Sequence, residues 1–168
     1  MSTSYHLKAF LLGFGLTFIL VSPALAEKVI YVIDGDTVIL DNHDRVRLIG
    51  INSPEIASDY HRGEYYGKDA KKYLKKRIEG KEVVLKDGQE ARDKYDRRLA
   101  YIYLSDGTFI NEELVRLGYA ETFRTFPFTY KEQFLKLEEE AREKQIGMWS
   151  SRKRPWWLSS FKKKRPAA

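Results

Sequence analysis

Three short clusters of charged and polar residues fall where apolar runs give way to turn residues, and each could carry chemistry. The first, Asp34-Gly35-Asp36-Thr37, sets two acids beside a tight turn, where carboxylate oxygens could hold a hard cation. The second, RLIGINSPE, starts at Arg47 and reaches Glu55 just past Asn52-Ser53-Pro54. If Val46 and Leu48 face inward, Arg47 projects from the opposite face and can grip a phosphate bidentately. The third, ARDKYDRRLAY, offers Asp93, Lys94, Tyr95, Arg97 and Arg98 at the entrance to another strand. Taken singly, each has a plain structural reading: an Asp-Gly hairpin turn, a solvent-side arginine, a charged hairpin loop. Together they suit hydrolysis of a phosphodiester. A divalent cation polarises a phosphoryl oxygen, guanidinium groups stabilise charge on the pentacoordinate transition state, and a carboxylate orients or deprotonates the attacking water.

The elements that must position these groups are short. Residues 27–51 read as three antiparallel strands, KVIYVI, TVIL and RVRLIGI, separated by Asp/Gly and Asp/Asn turns. Residues 52–65 lack periodicity and read as a loop. A helix is expected over 66–79, with Ala70, Tyr73, Leu74 and Ile78 on one face, lysines on the other and Gly80 ending it. Two more strands follow, KEVVLK and RLAYIYL. Asn111 is placed to cap a helix ending at Gly118, and Thr129 with Glu132 forms a capping box for the last helix. The order β-β-β-α-β-β-α-α implies a compact antiparallel barrel of α+β class.

The ends of the chain have a different character. Residues 1–26 show Lys8, a short apolar run and a small-residue Ala24-Leu25-Ala26 site, the layout of a cleaved secretory signal peptide. An exported protein, periplasmic or extracellular, is therefore expected. The chain contains no cysteine, so the domain does not rely on disulfides. The net charge of +6 is misleading. Eight of the 30 Lys and Arg lie outside residues 27–151, Lys8 and seven from Arg152 onward, leaving 22 against 24 acids in the folded part. Basic surface there must come from local clustering. Residues 151–168, a basic tail around Trp156, Trp157 and Phe161, read either as a disordered solvated segment or as a contact for nucleic acid or an anionic membrane surface.

VIDGDTVIL, VRLIGINSPE, DKYDRRLAYIYL, INEELVRLGYAE and AREKQIGMW follow one another in the order found in the staphylococcal nuclease (thermonuclease) family, which the chain resembles over residues 29–149. The resemblance implies an OB-fold, a five-stranded antiparallel β-barrel packed with three α-helices over residues 27–150. It also implies a monomeric, calcium-dependent endonuclease acting on DNA and RNA, single strands preferred, and leaving 3′-phosphate products. By motif position, Asp36, Asn52 and the Ser53 carbonyl would hold one Ca2+. Arg47 and Arg97 would bind phosphate, Glu55 would act as general base, and Lys94 and Tyr95 would contact the nucleotide. Asn52 stands where the family has a second aspartate, so weaker calcium binding is expected. Asp96 replaces a glycine and would have to accept a positive φ. Phe123 or Phe126 offers a stacking surface in place of the family's tyrosine. A catalytically weak or inactive OB-fold that only binds single strands or a protein partner is the alternative.

Overall fold

The computed structural model describes residues 26–58 and 62–150. The basic tail and the expected signal peptide, apart from Ala26, lie outside the described residues. Strands β1 (Ala26–Val32), β2 (Thr37–Leu40) and β3 (Arg45–Leu48) are followed by a two-residue β4 (Ile51–Asn52) and helix α1 (Gly67–Ile78). Then come β5 (Glu82–Arg92), β6 (Arg98–Leu104), α2 (Ile110–Arg116), a two-residue β7 (Glu121–Thr122) and α3 (Lys131–Glu143), with a 3-10 turn at Gly147–Trp149.

Five strands close into a barrel in the order β1-β2-β3-β6-β5, while β4 and β7 pair separately. The expected α+β barrel with three helices is present, with one correction: β3 and β6 run parallel, Val46 opposite Arg98 and Leu48 opposite Ala100. An odd number of strands cannot alternate direction all the way round a closed ring. One parallel pair is therefore unavoidable, and the chain between β3 and β6 supplies the long crossover such a pair needs. The barrel interior is filled by Val29, Val32, Val38, Leu40, Val46, Leu48 and Ile102, all at most 1% exposed. Each such burial contributes about 1.5–3 kcal/mol. Helix α1 covers the barrel with Ala70, Leu74 and Ile78, α2 with Ile110, Leu114 and Val115, and α3 with Phe134.

Several local expectations are corrected. RVRLIGI is not one strand: it breaks at Gly50, whose φ of +80° no extended residue adopts, and a Cβ there would lie 2.5 Å from the Phe128 ring. After the break, β4 leaves the barrel to pair with β7. KEVVLK is only the start of β5, which continues to Arg92 through an irregular register beyond the Asp87–Ala100 pair. Asn111 does not cap α2. It lies inside the helix, fully buried, accepting the Ile102 N–H at 2.9 Å and donating to the Ile49 carbonyl at 2.9 Å. Thr129 does not cap α3 either, since Tyr130 precedes its first residue and makes no side-chain cap bond.

The two-residue β7 is anchored from α3. Glu138, 1% exposed, accepts the Thr122 N–H at 2.9 Å, Arg124 Nη2 at 2.9 Å and Arg142 Nε at 2.8 Å. Burial by itself pushes the Glu138 carboxyl up, but Arg124, the Thr122 N–H and Arg142 outweigh it and hold the group below its ordinary 4.5. A carboxyl depressed on folding contributes stability above its unfolded value and loses it as pH falls through the folded one. Glu138→Ala should therefore cost about 2 kcal/mol at neutral pH, since it orphans a buried N–H while the arginines regain water. Urea unfolding should show that difference shrinking below pH 4.5.

Candidate active site

The β1–β2 turn builds the first half of the site. Asp36 N–H donates to Asp34 Oδ1 at 2.9 Å, closing the turn, and Thr37 Oγ donates to Asp36 Oδ1 at 3.1 Å. The β2–β3 register sets Thr37 opposite Arg47, so the Arg47 side chain, on the face opposite buried Val46 and Leu48, lies beside Asp36. Arg47 Nη2 is 3.2 Å from Asp36 Oδ2 and donates to Asn52 Oδ1 at 3.4 Å, while Nη1 donates to the Leu48 carbonyl at 2.9 Å. Asp36 Oδ2 also accepts the Ser53 N–H at 2.7 Å. Arg47 and the Ser53 N–H thus meet at the buried Asp36 carboxylate, 5% exposed as a residue, and Asn52 joins the group through Arg47. Burial and then the negative charge of Asp36 push the Asp34 carboxyl up to about 6, with Arg47 opposing.

The second half is the loop of the β5–β6 hairpin. The Asp93 N–H donates to the Arg97 carbonyl, and the Asp93 carboxylate accepts the N–H groups of Tyr95 (2.9 Å) and Arg97 (3.0 Å) and Arg97 Nε (2.7 Å). Burial opposes the charge on Asp93, but Arg97 and these N–H groups hold its carboxyl low. Asp96 does occupy the left-handed region, at φ +60°. Its carboxylate lies 3.6 Å from Arg92, whose guanidinium also reaches Asp44 at 2.9 Å and the Asp96 carbonyl at 2.8 Å. Arg98 turns away to Asp87 and Glu27. Asp93, expected only as one charge of a polar loop, organises that loop; an Asp whose side chain takes the N–H two residues on is the Asx-turn habit of this residue type.

Arg47 from the first half and the hairpin loop of the second face one cleft of about 660 Å³, lined by Arg47, Lys94, Tyr95 and Arg97 together with Phe123 and Phe126. Tyr95 and Phe126 are 63% and 64% exposed, so aromatic surface is open to a planar ligand. Lys94 Nζ and the Arg97 guanidinium lie 5.0 and 5.4 Å from the Tyr95 ring. Glu55 is set apart. It is exposed, its N–H donates to Glu64 Oε2 at 3.1 Å, and it lines a smaller cavity of about 330 Å³ with Tyr66 and Lys68. Among the described residues no group of three His, Cys, Asp or Glu could hold a metal. The oxygen donors gathered at the turn are the Asp34 and Asp36 carboxylates and the Asn52 amide.

An OB-like barrel with guanidinium and carboxylate groups at one cleft defines a class of small α+β domains. Within it, the chain belongs to the staphylococcal nuclease family, whose model, described as staphylococcal nuclease homologue, matches residues 45–151. The thermonuclease of Staphylococcus intermedius is 38% identical over 123 residues, 70% of this chain and 72% of the relative. That of Staphylococcus hyicus is 33% identical over 128 residues, 74% and 75% of the two chains. An uncharacterised protein of Methanocaldococcus jannaschii is 34% identical over 147 residues, 73% and 70%.

Close packing at the turn makes one prediction. A Cβ on Gly35 would lie 2.6 Å from Ser53 Cβ and 2.8 Å from Ala70 Cβ. Gly35→Ala should therefore destabilise the fold by about 1–3 kcal/mol through overpacking. A thermal melt unchanged from the parent protein would contradict this placement of the turn.

Proposed function

We propose that this chain is an exported, calcium-dependent nuclease that hydrolyses phosphodiester bonds of DNA and RNA, single strands preferred. The observation that carries this reading is the pair Arg47 and Arg97. They come from two different hairpins, each is held by its own carboxylate, and both line one cleft. Relatives named thermonuclease and endonuclease support it.

The donors at the turn fit a hard cation. All are oxygens, with the Asp34 and Asp36 carboxylates carried by the same turn. Asp36, Asn52 and the Ser53 carbonyl would hold calcium, which when bound supplies polarisation of a phosphoryl oxygen and offsets its charge. Arg47 and Arg97 grip the same phosphate and stabilise the charge that grows on its oxygens. Lys94 and Tyr95 hold the neighbouring phosphate at the rim. Glu55 orients water and accepts its proton as the oxygen bonds to phosphorus. The bond to the 5′ oxygen breaks, that oxygen takes a proton from solvent water and leaves as a 5′-hydroxyl, and a 3′-phosphate remains. Export by residues 1–26, a monomeric state and contact of the 151–168 tail with an anionic membrane surface belong to the same proposal.

A second reading is binding without cleavage, favoured by the partners Arg47 already has in Asp36 and Asn52. Single-strand binding that persists in EDTA, with no products at millimolar calcium, would select it.

Arg47→Ala and Arg97→Ala should each lower the cleavage rate by about 10² or more. Full activity of purified Arg97→Ala protein rules the reading out. Asn52→Asp adds a formal charge to the donor set and should lower the calcium concentration giving half-maximal activity. If that concentration does not move in a calcium titration, Asn52 is not a ligand.

A further inference from the structure

The outward face of α1 lies outside the cleft that holds Arg47 and Arg97, and it gathers Lys68, Lys71, Lys72, Lys75 and Lys76 in a domain whose overall charge is slightly negative. Lys68, Lys72 and Lys76 are exposed and recur every four residues, which makes a row with a spacing of about 6 Å. Like charges at this spacing cost helix stability. That cost is only partly offset: among the described residues only Lys75 of these five has an ion-pair partner, Glu79 at 3.1 Å. Beside the row stands an exposed aromatic. The β1–β2 register skips Ile30, and this bulge leaves Tyr31 46% exposed with Lys71 Nζ 5.3 Å from its ring centroid.

The helix adjoins the site on two counts. Ala70 of the same helix packs against the Gly35 turn, where a Cβ on Gly35 would lie 2.8 Å from it. Lys68, first of the row, lines the cavity that also contains Glu55. A polynucleotide leaving Glu55 would meet the lysines in sequence.

We propose that this face is an exosite for the phosphate backbone of single-stranded nucleic acid, holding nucleotides beyond those in the cleft, with Tyr31 as a stacking surface. It rests on the nuclease reading of the neighbouring site. A single strand is favoured over a lipid surface because the row starts at the rim of the Glu55 cavity, an alignment from which a plane of headgroups gains nothing.

The test uses the full chain with the double variant Lys72→Gln/Lys76→Gln, which spares Lys68 at the Glu55 cavity, and its Lys→Arg counterpart. Binding of a fluorescent oligothymidylate of about 30 nucleotides is read in EDTA across a salt series, where each lost phosphate contact lowers the slope of log K against log salt by about 0.7. The Gln variant should bind at least about five-fold more weakly at low salt, with a slope shallower by about 1.4, and the Arg variant should match the parent protein. In calcium, kcat/KM for a dinucleotide should be the same in all three proteins. Unchanged affinity and slope overturn the exosite, as does loss of dinucleotide cleavage in the Gln variant, which would put the lysines in the site itself. Lost adhesion to phosphatidylserine vesicles with intact oligonucleotide binding would also overturn it, in favour of a membrane. Absence of cleavage in every protein would overturn the nuclease reading, while the binding data still decide the exosite.

Discussion

Taking the Asp36 carboxylate out of water is costly, and the partners that offset the cost come from three separate stretches of chain. Its own turn contributes Thr37, β3 contributes Arg47, and the stretch after β4 contributes the Ser53 N–H. Removing any of them would leave a buried charge short of a partner, which is why the turn, the strand and the loop keep one mutual arrangement. Arg47 is oriented by the same contacts, with the Leu48 carbonyl completing its fork.

The hairpin loop solves the same problem independently. Asp93 gathers two backbone N–H groups and the Arg97 side chain, so loop shape and arginine direction are set together. Arg92 then ties this loop to the β2–β3 turn through Asp44. The cleft between the halves is open and partly aromatic, so its selectivity for one base over another has little to rest on except stacking.

Alternation and turn residues made much of this legible. The Asp-Gly turn, the outward direction of Arg47 and the apolar faces of α1 and α3 follow from periods of two and 3.6. The positive φ at Asp96 followed from its standing where a glycine was expected. What could not be read required knowledge of partners distant in sequence. Asn111 looks like a cap until Ile102 and Ile49 are both beside it, and RVRLIGI looks continuous until Phe128 is seen to occupy the space over Gly50. The parallel β3–β6 pair is a property of the closed ring and is written in no single strand. Glu55 is the remaining gap: its motif position is clear, yet its backbone and cavity partners set it apart from the arginines.

The Glu138 anchor has a consequence for how the chain acquires its shape. Thr122 and Arg124 are synthesised before the carboxylate that satisfies them, and Arg142, which also holds that carboxylate, stacks over Trp149 at 3.5 Å. The wall of the cleft that carries Phe123 and Phe126 is thus completed by residues made after every strand of the barrel. A chain still emerging from the ribosome has its barrel strands in hand well before it has a finished cleft.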